Sequence, residues 1–194
     1  MKKLFEGLEE NDIVVTGNGS ACVVSFQAAE IKKGQRLFTN SGCASMGYGL
    51  PAALGACIAE GEKRVICLDG DGSLMMNLQE LQTIRYNNCN MKLFVLNNNG
   101  YHSIRQTQNN LFKEHCKIGI GPESGDLSFP EFKKIAEAFG YDYYSASSNK
   151  EMMETVDKVL ETDGPVFCEI FTDTKQVWAV SYTHLRAHET RRHL

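Results

Sequence analysis

No apolar run in this chain approaches membrane-spanning length, and the N-terminus, Met1-Lys2-Lys3-Leu4-Phe5, lacks the apolar core of a signal peptide. The seven cysteines are odd in number and include no Cys-x-x-Cys pair, which argues against a disulfide framework. Most of them (Cys22, Cys43, Cys57, Cys67, Cys168) lie in apolar or small-residue segments and are read as buried reduced thiols. There is no excess of positive charge either. A net charge of −4 leaves no electrostatic footprint for nucleic acid. No internal repeat and no low-complexity linker occurs before the C-terminus. These absences leave a cytosolic protein with neither a membrane nor a nucleic-acid partner. At 194 residues and 42% hydrophobic content, the chain suits one α/β domain with a real core.

What is present is a pair of turns, each closing an apolar run. Val65-Ile66-Cys67-Leu68 leads to Gly70-Asp71-Gly72-Ser73, and Leu93-Phe94-Val95-Leu96 leads to Asn97-Asn98-Asn99-Gly100, with Asn98 27 residues after Asp71. The runs read as short buried strands. Between them, apolar residues at 74, 75, 78, 81 and 84 predict a helix over Leu74 to Tyr86. Strand, Gly-rich turn, helix and strand make a βαβ unit, whose right-handed crossover brings the C-terminal ends of both strands to one sheet edge. Asp71 and Asn98 then converge as oxygen ligands suited to a hard cation such as Mg²⁺. Gly72 and Ser73 open the helix, where backbone N–H groups favour a phosphate. Taken singly, each motif is also an ordinary turn, since Asp-Gly and Asn-Gly are common turn formers. Together, at this spacing, they point to a diphosphate ligand held through a metal.

The rest of the chain keeps alternating strands and helices. Ile13-Val14-Val15 is strand-like and precedes the loop Thr16-Gly17-Asn18-Gly19-Ser20-Ala21. Leu50-Pro51-Ala52-Ala53 starts a helix with proline in its first turn. Lys117 to Asp126 is a Gly/Pro-containing loop able to close over the site. A helix is expected from Phe129-Pro130 to about Phe139, a strand over Tyr141 to Ser145, a helix over Lys150 to Thr162 and a strand over Val166 to Phe171. This order predicts an α/β fold, a mostly parallel sheet with helices on both faces. Residues 181–194 show no core periodicity, and three arginines against one glutamate make them +2, so residues 1–180 carry −6. His184, His188 and His193 in that stretch are not read as a metal site. The segment resembles translated adapter sequence, which sets the expected domain at 1–180 and 181–194 as a non-native tail.

The two turns at this spacing resemble the signature of thiamine diphosphate (ThDP) enzymes, and Gly70 to Thr83 (GDGSLMMNLQELQT) is most similar to acetolactate synthase large subunits. The resemblance covers roughly residues 10–180. It implies a ThDP-binding fold in which Asp71, the Asn98 side chain and the Gly100 carbonyl bind Mg²⁺, which holds the cofactor diphosphate. Gly70, Gly72, Ser73 and Tyr101 fall among the implied cofactor-binding residues, and Asn18, Gly19 and Ser20 form an implied diphosphate-contacting loop. In Ser41 to Gly49, the resemblance makes Met46 the wedge that bends the cofactor. It makes the Ala44 carbonyl the acceptor for the cofactor's amino group; Ala stands where relatives often have Gly, with a carbonyl still available.

The activating glutamate of such enzymes sits on a separate pyrimidine-binding domain, from the same or a partner subunit. Glu80 does not replace it, so the isolated chain is expected to be inactive and the intact protein a homodimer or tetramer. Met1 then reads as an internal methionine of a longer polypeptide. Ile104 stands where aldehyde-forming decarboxylases carry an acid, which favours a carboligase: a 2-oxo acid loses CO₂ and is joined to a second carbonyl. His102 reads more readily as a solvated loop residue than as a substrate contact, while Arg105 and Gln106 are weak candidate anchors for a carboxylate or phosphate. FAD, bound by acetolactate synthases on a central domain, has no site in this chain. Ser20-Ala21 replaces the usual Gln-His, and this departure together with that at Tyr101-His102 leaves open another acceptor such as a keto-sugar or aldehyde. A non-catalytic ThDP-binding module is the remaining alternative.

Overall fold

The computed structural model describes residues 1–61, 63–112 and 117–176; the tail from 181, with its three histidines, lies outside the described residues. Six strands form one sheet: β1 (Ile13–Thr16), β2 (Arg36–Phe38), β3 (Val65–Gly70), β4 (Met91–Asn97), β5 (Asp142–Ala146) and β6 (Val166–Phe171). Their spatial order is β2-β1-β3-β4-β6-β5, and every pairing is parallel. A wholly parallel sheet must be covered on both faces, which is why Val65–Leu68 of β3 and Leu93–Leu96 of β4 are apolar throughout.

Alternate residues of each strand serve opposite faces. On one face, Val65, Cys67, Leu93, Val95 and Phe167 pack with Leu50 and Ala53 of α3 (Gly49–Glu60), Leu81 and Ile84 of α5 (Glu80–Tyr86) and Phe132 of α7 (Phe132–Ala138). On the other, Ile66, Leu68, Phe94 and Cys168 pack with Leu4 and Phe5 of α1 (Lys2–Gly7), Ala21 of α2 (Gly19–Ala28) and Val156 and Val159 of α8 (Asn149–Glu161). Among the described residues, no helix is long and apolar enough to cross a membrane.

The expected helix over Leu74 to Tyr86 is not uniform. It begins earlier, as α4 (Asp71–Leu74), tightens to a 3₁₀ turn over Met75–Asn77 and resumes as α5. Asn77 leaves the regular helix to donate from Nδ2 to the Gly47 carbonyl at 2.8 Å, which fastens the segment to the neighbouring loop. Met75, counted with the apolar stripe, is therefore exposed while Leu74, Leu81 and Ile84 are buried. The loop expected at Thr16 to Ala21 is shorter than anticipated, because Gly19 and Ser20 already belong to α2.

The chain reverses direction in the sheet at β1: β2 lies on one side of it and β3 on the other. In a parallel α/β sheet this switch opens a crevice at the carboxyl ends of the strands. Gly70 pairs with Leu96 in the β3–β4 register, so the turn after β3 and the turn after β4 leave the sheet at the same height beside that crevice.

Candidate functional site

Asp71 is the first residue of α4, and its carboxylate is 1% exposed. Oδ1 accepts the Gly72 N–H at 2.9 Å, and Oδ2 accepts the Gly100 N–H at 2.8 Å from the other turn. One buried carboxylate thus ties the two motifs together. Burial pushes its pKa up to about 6, against the pull of the Gly100 and Gly72 N–H groups. Asn98 is also buried, and its Oδ1 has no hydrogen-bond partner. An acceptor buried without a partner is costly unless something else meets it.

The second turn is held tightly. Gly100 has φ 147°, and a Cβ there would lie 1.9 Å from the Ile120 carbonyl oxygen, so only glycine fits. The same oxygen accepts the Tyr101 N–H at 2.9 Å. Arg105, on α6 (His102–Phe112), spreads its guanidinium over the Asn98, Asn99 and Ile120 carbonyls at 3.4, 3.1 and 3.2 Å and pairs with Glu123 at 2.7 Å. Arg105 is therefore not an anchor for a ligand carboxylate or phosphate, since its donors are spent on the turn and on the 117–126 loop. His102 is likewise buried rather than solvated, and burial together with Arg105 lowers its pKa.

Upstream, the 40–47 loop is pinned by the first motif. Ser73 Oγ accepts the Gly47 N–H at 3.0 Å, so this hydroxyl braces the loop. Asn18 Nδ2 donates to the Ala44 carbonyl at 3.2 Å. Ala44 adopts φ 49°, a left-handed conformation in which a Cβ costs about 1 kcal/mol or more, so the alanine is not a free replacement for glycine. Met46 is 40% exposed, and Cys43, expected to be buried, is exposed in the same loop; Cys57, Cys67, Cys89 and Cys168 are buried.

The candidate cofactor and metal residues border one cavity of about 270 Å³, whose lining does not include Arg105 or Gln106: Asn18, Gly19 and Ser20 from β1–α2, Ala44 and Met46 from the 40–47 loop, Gly70, Asp71, Gly72 and Ser73 from β3–α4, and Asn98, Gly100 and Tyr101 from the turn after β4. His102, Ser103 and Ile104 complete the wall. A larger cavity of about 550 Å³ adjoins it across Ser20, Asn98 and His102, floored by Leu68, Phe94, Leu96 and Ile170.

Asp69 is the residue that sequence reasoning passed over. It is fully buried beneath the crevice, with a pKa pushed up to about 6, by burial first. Oδ1 accepts the Gly70 N–H at 2.9 Å, while Oδ2 has no hydrogen-bond partner. A Cβ on Gly17 would lie 2.1 Å from this carboxylate and one on Gly49 2.7 Å, so the two loops close on it only because both residues are glycine. Its signal was an acid directly before the Gly-Asp-Gly run, on the strand side of the turn.

Among the described residues, no three His, Cys, Asp or Glu side chains come together as a metal cluster. The available donors at the crevice are one carboxylate, one unpartnered amide oxygen and backbone, a set that suits a hard, oxygen-preferring cation sharing its shell with phosphate and water.

A family model described as thiamine pyrophosphate enzyme, C-terminal TPP binding domain, matches residues 17–170. Acetolactate synthase 1, chloroplastic, of Zea mays is 35% identical over 161 residues, covering 81% of this chain and 25% of that protein. The acetolactate synthase isozyme 1 large subunit of Escherichia coli K12 is 28% identical over 169 residues, covering 87% of this chain and 29% of that protein. Among solved structures, a thiamine diphosphate-dependent 4-hydroxybenzoylformate decarboxylase from Rhodococcus jostii shares the fold, with a TM-score of 0.76 and 22% identity over 89% of this chain and 31% of that one. The chain therefore spans between 25% and 29% of the length of these curated relatives.

Proposed function

The chain belongs to the thiamine pyrophosphate enzymes through their C-terminal TPP-binding domain, and from that premise we propose that it is the diphosphate- and Mg²⁺-binding domain of an acetolactate synthase-like carboligase. The intact cytosolic enzyme decarboxylates a 2-oxo acid and joins the remainder to a second carbonyl. The observation that carries the metal part is the buried Asn98 Oδ1, without a partner, on the wall that Asp71 shares. ThDP, when bound, supplies the nucleophilic ring carbon that attacks the 2-oxo acid.

The chain's own residues hold and shape. Asp71, Asn98 and the Gly100 carbonyl would take Mg²⁺, while Gly72 and Ser73 meet the diphosphate across the start of α4. Met46, standing free of the core, is the wedge, and the Ala44 carbonyl is the acceptor that orients the cofactor. Asn18 already contacts that carbonyl from the opposite loop, which fixes its direction. Ile104 offers no proton at the cavity wall, which suits joining to a second carbonyl over release of an aldehyde. The activating carboxylate comes from a pyrimidine-binding domain in the same or a partner subunit of a homodimer or tetramer, so the isolated chain binds without turning over. A different acceptor, a keto-sugar or an aldehyde, is the second reading, favoured by Ser20 on the wall both cavities share.

The test is calorimetric titration of ThDP into the chain with Mg²⁺ and again with EDTA. Binding is expected only with Mg²⁺, and Asp71→Ala should abolish it while circular dichroism shows the fold kept. Undiminished binding by Asp71→Ala would overturn the metal assignment.

A further inference from the structure

Asn97 ends β4 immediately before the proposed metal-binding turn, and its amide bridges two groups of opposite demand. Nδ2 donates to Glu169 Oε1 at 2.6 Å, and Oδ1 accepts the Asn99 N–H at 2.8 Å. Glu169 lies on β6, is 4% exposed, and accepts the Tyr143 hydroxyl from β5 on its other oxygen at 2.5 Å. The period of two puts these side chains on one face: Asn97 follows Leu93 and Val95, Glu169 follows Phe167, and Tyr143 pairs with Phe167. The backbone carbonyl of Asn97 is held as well, by Thr172 N–H at 2.8 Å.

The orientation of that amide follows from its neighbours. An ionised carboxylate only accepts and a backbone N–H only donates. Turned over, the Asn97 amide would set oxygen against the Glu169 oxygen and N–H against the Asn99 N–H. Burial and the adjacent Glu169 carboxylate hold the Tyr143 phenol above its ordinary pKa, so it stays protonated as the donor to Glu169.

We propose that Glu169 is a positioning residue for the metal site: by fixing the Asn97 amide, it holds the Asn99 N–H and so sets the turn that presents Asn98 and Gly100. The inference rests on those two residues being metal ligands. Asn99 has φ 57° and Gly100 φ 147°, so the turn occupies backbone conformations that need an external brace. Asp71 and Arg105 brace it from the cavity side and from α6, and Glu169 braces it from the sheet. Partners of this kind, one step behind the ligands, change metal affinity by roughly 10–100-fold when removed.

The experiment uses the whole chain with two readouts: hydrogen exchange of the Asn99 amide without cofactor, and the Mg²⁺ concentration for half-maximal ThDP binding. Glu169→Leu and Asn97→Ala should each lower Asn99 protection and raise the Mg²⁺ requirement by roughly tenfold. Tyr143→Phe removes the phenol but leaves the Asn97 contact; it should lower the melting temperature and leave both readouts near wild type. A folded Glu169→Leu with wild-type Asn99 protection would overturn the proposal, as would a Tyr143→Phe variant with an equal shift in Mg²⁺ requirement. Where Glu169→Leu does not fold, Asn97→Ala decides, and an unchanged Mg²⁺ requirement refutes the brace. A wild-type chain that binds ThDP without regard to Mg²⁺ sinks the metal reading instead; the Asn99 exchange, which needs no metal, separates the two failures.

Discussion

Replacing Asp69 with asparagine should stabilise the cofactor-free chain at neutral pH and leave it nearly unchanged in mild acid. The carboxyl is fully buried, and its pKa rises from 3.8 to about 6, chiefly through burial. Below about pH 4 it is protonated in folded and unfolded chains alike and contributes no slope. Between about pH 4 and 6 the folded chain keeps a proton that the unfolded chain has released, so this group's contribution to stability falls as pH rises. Above that window the deficit is constant. Two pKa units correspond to about 3 kcal/mol, an upper figure because Asp71 supplies part of the shift. Asparagine keeps an acceptor for the Gly70 N–H and puts a neutral group where Oδ2 has no partner. Urea denaturation at pH 3.5, below the window, and at pH 7.5, above it, measures the effect. The variant should gain about 2–3 kcal/mol at the higher pH and within about 0.5 kcal/mol of nothing at the lower. A variant less stable than wild type at pH 7.5, or one offset equally at both pH values, refutes the reasoning. Asp71, raised to a similar value, should leave a residual slope in the variant.

Two further substitutions test the backbone of the site. Gly100→Ala adds a Cβ 1.9 Å from the Ile120 carbonyl oxygen at φ 147° and should cost more than about 3 kcal/mol in urea denaturation, with wild-type stability counting against the close packing of the two loops. Ala44→Gly relieves a left-handed alanine at φ 49° and should raise stability by up to about 1 kcal/mol, the gain reduced by the freer unfolded chain; a clear loss would show that the loop does not hold that conformation in solution.

The parts of the fold legible in the sequence are those where burial alone dictates composition. β6 runs from Val166 to Phe171, as its apolar run and the preceding Gly164-Pro165 require, and α8 spans Asn149–Glu161 against an expected Lys150 to Thr162. α2 was hidden because Gly19–Ala28 mixes small, apolar and polar residues without a one-sided stripe, and only Ala21 and Ser25 are buried. β2 is a three-residue edge strand with an exposed arginine, too short to show a period. α1 is a six-residue helix too short to show an apolar period, yet its Leu4 and Phe5 are core residues. The candidate site residues stand out as motifs in the sequence, and the structure brings them around one cavity. What could not be read was partnership. Arg105 looks like an anion anchor until its donors are counted, and Asn77 and Glu169 look like surface polar residues until their partners, remote in sequence, are known.

The crevice is thus built from groups that the fold would be more stable without. Two acids with raised pKa values, Asp69 and Asp71, lie at the end of a strand whose other residues are apolar. Left-handed backbone occurs there at Ala44 and Asn99, as it does away from the crevice at Asn11 and Asn88, and buried acceptors lack partners at Asn98 and Asp69. Each is unfavourable taken alone, yet they occur together at the switch point of the sheet, while the two cores beneath are continuous and apolar. That distribution is expected when a site is shaped for a charged ligand and the layers under it supply the rigidity. It also ties the substitutions together. Asp69→Asn and Ala44→Gly should raise the stability of the empty chain while weakening Mg²⁺-dependent ThDP binding, whereas a stabilising change on the buried faces away from the crevice should raise stability alone. If the first two tightened ThDP binding as well as the fold, the strain at the crevice would have no part in holding the ligand.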